Sequence, residues 1–256
     1  MSLRALADLS TAELRDLVAI DRPPVVVLVP CGSMEPHGPH LPLSTDTIIS
    51  EAAIEQAATR LADRATVLVA PSVAYGVTEY ARSFCGAISI PAETLTRYLR
   101  AIVDGLHAHG VRHVCLVNNH LEPAQDAAVR AAISDLPKES ASVACPLDRR
   151  WARLLSDEFK RGECHAGQYE TSLVLAASPS RVNEAERVGL AAVPISLSKQ
   201  IKAGVYEFVQ MGMLDAYAGA PALATPEEGR ALIKILGEMI ATEILEAMRL
   251  GGASNA

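Results

Sequence analysis

With 256 residues, 50% of them hydrophobic, the chain has ample material for a core and reads as a single domain over 1–256, ending in a frayed tail at about 251–256. A net charge of −7 and an aromatic content of 4% exclude nucleic acid as a partner, which needs a basic footprint and stacking surface. The five cysteines form no C-x-x-C pair and no apolar run approaches the roughly 18 residues that span a bilayer, so a disulfide framework and a membrane partner are also excluded, and a reducing, cytoplasmic location is expected.

The first element is a helix opened by the capping box Ser10-Thr11-Ala12-Glu13, running to about Ala19 and ended by Pro23-Pro24. Residues 25–29 are an unbroken β-branched and aliphatic run, the pattern of a parallel strand covered on both faces. A Gly- and Pro-rich loop over 31–45 follows. A helix is then expected over 47–63, with Ile49, Ala53, Ala57 and Leu61 on its inner stripe and Glu51, Glu55 and Thr59 off it.

Residues 65–69 give the next strand, and 84–90 a further one at a sheet edge. A helix over 93–109 turns Leu95, Leu99, Ile102 and Leu106 inward and stops at Gly110. A strand over 113–117, a helix over 123–135 with Pro123 at its first position, and a short strand over 142–145 continue the alternation. Helices over 170–177 and from Thr225-Pro226-Glu227-Glu228 to about Leu250 complete the order. The stretch 191–223 is irregular, as lids and interfaces are. Strands alternating with helices define an α/β layered fold.

In such folds ligands bind beyond the carboxyl ends of the strands. The loop after 25–29 carries Glu35-Pro36-His37, and the loop after 113–117 carries His120-Leu121-Glu122. In extended backbone, residues i and i+2 project to one side, so each pair offers a carboxylate and an imidazole together. Asp46, at the close of the first loop, adds a fifth hard-to-borderline ligand, and Ser44 and Thr45 compete with it for helix capping. Other chemistry-bearing residues have two readings. Trp151 either walls a pocket or anchors a helix, Arg149 and Arg150 either meet an acidic substrate or are solvated, and Cys164 abuts His165.

The stretch Cys31-Gly32-Ser33-Met34-Glu35-Pro36-His37-Gly38-Pro39-His40-Leu41-Pro42-Leu43-Ser44-Thr45-Asp46 resembles the signature of the creatininase (creatinine amidohydrolase) family. Asn118-Asn119-His120-Leu121-Glu122, then His165-Ala166-Gly167-Gln168-Tyr169-Glu170-Thr171-Ser172, then Gly219 through Ala224-Thr225 to Gly229 resemble it in order. The resemblance implies a creatininase-like three-layer sandwich, a mostly parallel sheet flanked by helices, and a binuclear centre of two divalent ions (Zn, Mn or Fe). It implies that Glu35, Asp46 and His120 hold one ion, and that His37, the shared Asp46 and Glu122 hold the other. His165 matches the family's proton-transfer histidine, oriented by Glu163 or Glu170, and Glu170 matches a glutamate near the site. His165, Glu122 and Glu170 are therefore the expected catalytic residues. The chain departs from the usual family pattern at Asn119, where most members have glycine, at Pro36, and over residues 80–86, and these positions bear on the substrate more than on the metals.

The function so implied is a binuclear metal-dependent hydrolase of C–N bonds other than ordinary peptide bonds. A metal-bridged hydroxide would attack a small-molecule amide, either a cyclic amide or a formamide. The alternatives are a peptidase of the mycofactocin-precursor type and a non-catalytic metal- or ligand-binding member. Family analogy also gives a closed homo-oligomer, with 191–223 as interface.

Overall fold

The structure, a computed structural model, describes residues 3–19 and 22–249. The tail expected over 251–256 lies outside them. The elements run β1 (Arg4–Ala5), α1 (Thr11–Leu17), β2 (Val25–Cys31), α2 (Thr45–Leu61), β3 (Thr66–Val69), α3 (Ala92–Ala108), β4 (His113–Asn118), α4 (Pro123–Ala131) and β5 (Ala141–Ala144). Then come α5 (Arg149–Ala152), α6 (Asp157–Arg161), α7 (Gln168–Ala177), α8 (Glu184–Arg187), α9 (Leu197–Lys202), α10 (Phe208–Met211) and α11 (Pro226–Ala247).

Local signals set most boundaries. Ser10 Oγ accepts from the Glu13 amide and Glu13 accepts from the Ser10 amide, so the capping box at α1 forms as read. Thr225 caps α11 through the Glu228 amide, and Gly110, at φ +88°, ends the α3 turn in a conformation glycine reaches without strain.

Five parallel strands form one sheet in the order β1-β3-β2-β4-β5. Side chains alternate across it. Val26 and Leu28 of β2, with Cys115 and Val117 of β4, pack into one core with α2, α7 and α11. Val25, Val27 and Val29, with Val114 and Leu116, pack into a second core with α3 and α4. A sheet buried on both faces explains why the β2 sequence shows no hydrophobic alternation. The architecture is a three-layer α/β sandwich.

Two expectations are corrected. Residues 84–90 are not a strand: 81–86 are turn and bend, and a lone antiparallel bridge joins Ile88 to Met34. Its apolar residues pack without a sheet partner: Phe84 and Ala87 join a small cluster around Phe208 and Met211, and Ile90 packs against the second core. Helix α2 begins at Thr45, so Asp46 sits in its first turn instead of preceding it, where a carboxylate faces the positive end of the helix dipole. The irregular stretch 191–223 contains α9 and α10, whose Leu197, Ile201 and Phe208 pack into a small cluster with Tyr80 and Ala81.

Candidate metal centre

Strand β2 moves the chain to β3 on one side, and β3 returns it to β4 on the other, so the topology switches at the β2–β4 pair. These two strands end side by side, Cys31 paired with Asn118, and ligand crevices open at such points. The following loops turn back over the sheet edge. Gly32 lets the first do so, since a Cβ there would stand 2.7 Å from the Thr47 amide nitrogen. From the second loop, Asn119 donates to Ser50 Oγ (3.0 Å), which in turn donates to the Cys31 carbonyl (2.9 Å), tying both loops to α2. Asn119 is thus buried bracing and is not among the residues lining the cavity.

Around His120, three carboxylates gather. Its Nδ1 lies 3.1 Å from Glu35 Oε2 and 3.1 Å from Asp46 Oδ2. Its Nε2 donates to the Val77 carbonyl at 2.7 Å, which turns Nδ1 toward the acids. Glu122 stands on the same side: one nitrogen of His120 and one oxygen each of Glu35 and Glu122 lie within 4.8 Å of one another. The Glu122 carboxylate accepts from the amides of Glu79 (3.2 Å) and Tyr80 (3.1 Å), and Glu35 accepts from Thr78 Oγ1 (2.8 Å).

His37 is arranged in mirror fashion. Its Nδ1 donates to the Glu35 carbonyl (2.9 Å), so Nε2 faces Asp46 Oδ1 at 3.3 Å and Glu170 Oε2 at 3.5 Å. Asp46 therefore turns one oxygen toward each histidine. The expected company of Glu122 for His37 and Asp46 is not what is found: Glu122 is held on the His120 side by the 79–80 backbone, and Glu170, from the first turn of α7, stands beside His37.

Burial and charge work against each other here. Burial alone would deprotonate both histidines. Yet Asp46, Glu170 and Glu35 raise His37 to about 10, and Glu35 with Asp46 raises His120 well above the ordinary value. Burial opposes ionisation of Glu35, but His120, His165 and His37 hold it down to about 2. The same balance, against burial, keeps Asp46 below the ordinary aspartate range through His120 and His37. For Glu122 and Glu170 burial wins, pushing them up to about 7 and about 8. His37 Nε2 and Asp46 Oδ2 are fully buried and make no hydrogen bond, a cost of about 1–3 kcal/mol each unless something completes them. Imidazole nitrogens and carboxylates with backbone-fixed tautomers, converging on buried orphan atoms, are the donor set of a Zn, Mn or Fe site.

His165 sits against this cluster, its ring 4.5 Å from that of His37 and 4.4 Å from that of Phe208. Its Nε2 donates to the Pro36 carbonyl at 3.0 Å. The orienting group is that carbonyl, not Glu163, which pairs with Arg161, nor Glu170, which accepts from the Ala166 amide at 2.6 Å. Burial lowers His165 to about 4, so the ring is neutral at physiological pH. Ala166 holds a left-handed φ of +50° while fully buried, and in that conformation its N–H donates to Glu170.

The site floors a cavity of about 500 Å³. Tyr80, Phe159, Leu197, Ile201 and Phe208 wall it. Sequence reading missed Thr78, Val77 and Pro36, whose contributions are a hydroxyl and two carbonyls, and Phe208, whose role depends on α10 folding back. Trp151 is no wall: it is buried and donates from Nε1 to Glu243 (2.7 Å), anchoring α5 to α11. Cys164 lines the cavity, but burial, with Glu170 and Glu158 nearby, pushes its thiol well up, and an undissociated thiol is a poor nucleophile.

Among known proteins, the creatininase family profile, described as creatinine amidohydrolase, matches residues 7–244. A mycofactocin precursor peptide peptidase of Mycobacterium ulcerans is 36% identical over 84% of this chain and 81% of its own length. A creatinine amidohydrolase of Pseudomonas putida is 30% identical over 62% of this chain and 66% of its own. A crystal structure of creatinine amidohydrolase superposes with a TM-score of 0.78, at 23% identity, over 96% of this chain and 98% of that one. A manganese form (TM-score 0.74) and a Zn–Zn form (0.76) of creatininase, each 21% identical, share the fold over 96% and 97% of this chain and 99% of theirs. With a profile covering nearly its whole length and a fold to match, the chain belongs to the creatininase (creatinine amidohydrolase) family.

Proposed function

We propose that the chain hydrolyses a C–N amide-type bond of a small molecule, a cyclic amide or a formamide, using two divalent cations at the floor of the cavity. The observation that carries this reading is the pair of oppositely tethered histidines. Each has one nitrogen bound to a backbone carbonyl and the other turned toward Asp46. Glu35, Asp46, His120 and Glu122 would hold one ion, and His37, Asp46 and Glu170 the other. The manganese and Zn–Zn creatininases support those metals here. Bound there, the cations supply Lewis-acid polarisation of a carbonyl and a nucleophile from water at neutral pH.

The remaining work falls to side chains. The neutral His165 ring, its Nε2–H held by Pro36, keeps Nδ1 free to accept a proton and pass it to a leaving nitrogen. Glu122 and Glu170, which burial alone pushes up to about 7 and about 8, would be kept ionised by a cation held beside them. The apolar wall excludes water and strengthens the electrostatics of the floor.

A second reading, hydrolysis of a short peptide, is favoured by the 36% identity to the mycofactocin precursor peptidase. Metal analysis combined with assays over lactams, formamides and short peptides tests both. Turnover that chelation abolishes and Zn²⁺ or Mn²⁺ restores supports hydrolysis, and the substrate class selects between the readings. Tight metal binding with no turnover across all three classes points instead to a non-catalytic member. A closed homo-oligomer and a cytoplasmic location belong to the same proposal, and sedimentation tests the oligomer directly.

A further inference from the structure

Arg149 and Arg150 are neighbours in sequence, and the structure separates them. Arg150 makes two hydrogen bonds to Glu246 (2.7 and 2.8 Å) and lies 4.9 Å over the Trp151 ring, so its charge is met on the surface of α11. Arg149 instead lines the cavity, with Arg153 one helical turn further on and Lys202 from the end of α9. All three are exposed, and none forms an ion pair with an acid among the described residues. A fourth cation on the wall, Lys160, is paired with Asp157 at 3.0 Å.

Burial gives the depth order. Glu35, Asp46, His120, Glu122, His165 and Glu170 are buried and form the floor, whereas the three unpaired cations stand at the mouth. Between them the wall is apolar, from Leu121, Phe159, Leu197, Ile201 and Phe208. The cavity thus changes sign from an acidic floor to a basic rim, in a protein whose net charge is −7. Acids are plentiful in this chain, yet none lines the rim. Cations left facing one opening repel each other and attract an anion to it, and a guanidinium presents a planar fork matched to an oxyanion.

We propose that the cavity selects an amide whose far end carries an oxyanion, in the simplest case a carboxylate, separated from the scissile C–N bond by an apolar segment. This deepens the amidohydrolase reading and rests on it for the identity of the floor. N-acylated amino acids and the carboxyl ends of short peptides share that chemistry.

The test is calorimetric binding to the metal-loaded full chain, which needs no turnover. The probes are N-hexanoylglycine against hexanoylglycinamide, and an apolar tetrapeptide with a free against an amidated C-terminus, so the two pairs separate the acyl amino acid from the peptide source. The free carboxylate of at least one pair is expected to bind about tenfold tighter than its amide, since three exposed pairs each contribute little. That preference should shrink as salt rises. It should vanish in R149S/R153S/K202S with amide binding unchanged, and persist in K160S. Equal binding within both pairs, no binding included, or a preference that survives the triple substitution or high salt, overturns the proposal. Carboxylate-selective binding without hydrolysis of any amide would sink the amidohydrolase reading alone, and hydrolysis indifferent to charge would sink this one alone.

Discussion

The floor of the cavity and its mouth are built from different material. The floor comes from the ends of β2 and β4 and the first turns of α2 and α7, and its ligand-type side chains are buried, most of them with an oxygen or nitrogen fixed by backbone or by a neighbouring hydroxyl. The mouth comes largely from α5 and α9, helices of four and six residues with exposed faces. Groups that must be placed within a fraction of an ångström sit on the rigid sheet edge, while groups that choose among substrates sit on short, replaceable helices.

That contrast can be broken from the floor first. Asp46→Ala removes the carboxylate that turns a separate oxygen toward each histidine, so bound metal should fall below one ion per chain and activity drop by more than the roughly 10–100-fold typical of an outer-sphere partner. Full metal content by elemental analysis would contradict this. His165→Asn should leave the metal in place while lowering kcat by about 10²–10⁴-fold, the range of a lost proton-transfer group. Equal loss of metal and rate would make His165 a ligand instead. Glu170→Gln should weaken only the His37 side, by about 10–100-fold in the affinity of one ion, as two-step metal titration would resolve.

The smallest effect lies behind the mouth. Trp151→Phe loses the hydrogen bond to Glu243 and should cost about 1 kcal/mol in urea unfolding with kcat unchanged. A large fall in kcat would mean that α5 positions the reacting groups and that the floor and mouth are not independent.

The contrast also sorts what was legible in the sequence. The capping box of α1, the apolar run of β2, the inner stripe of α2 and Pro123 at the start of α4 all declare themselves, because each depends on neighbours within a few residues. The short segment 84–90 misled, since a β-like composition is satisfied equally by loop residues packed onto a core. Among site residues, Glu35-Pro36-His37 and His120-Leu121-Glu122 were visible as pairs after strands. The partnership of His37 with Glu170, 133 positions away by the numbering, was not.

Taken alone, the sequence determined the α/β alternation, the family and the kinds of ligand on offer, since these follow from local periodicity and motif. Tertiary structure decided which acid faces which histidine, that Pro36 and Val77 lend carbonyls to His165 and His120, and that Arg149 faces the cavity while Arg150 binds Glu246. The reason is physical: the direction of a side chain at a sheet edge is set by the elements packed against it, and those come from distant parts of the chain.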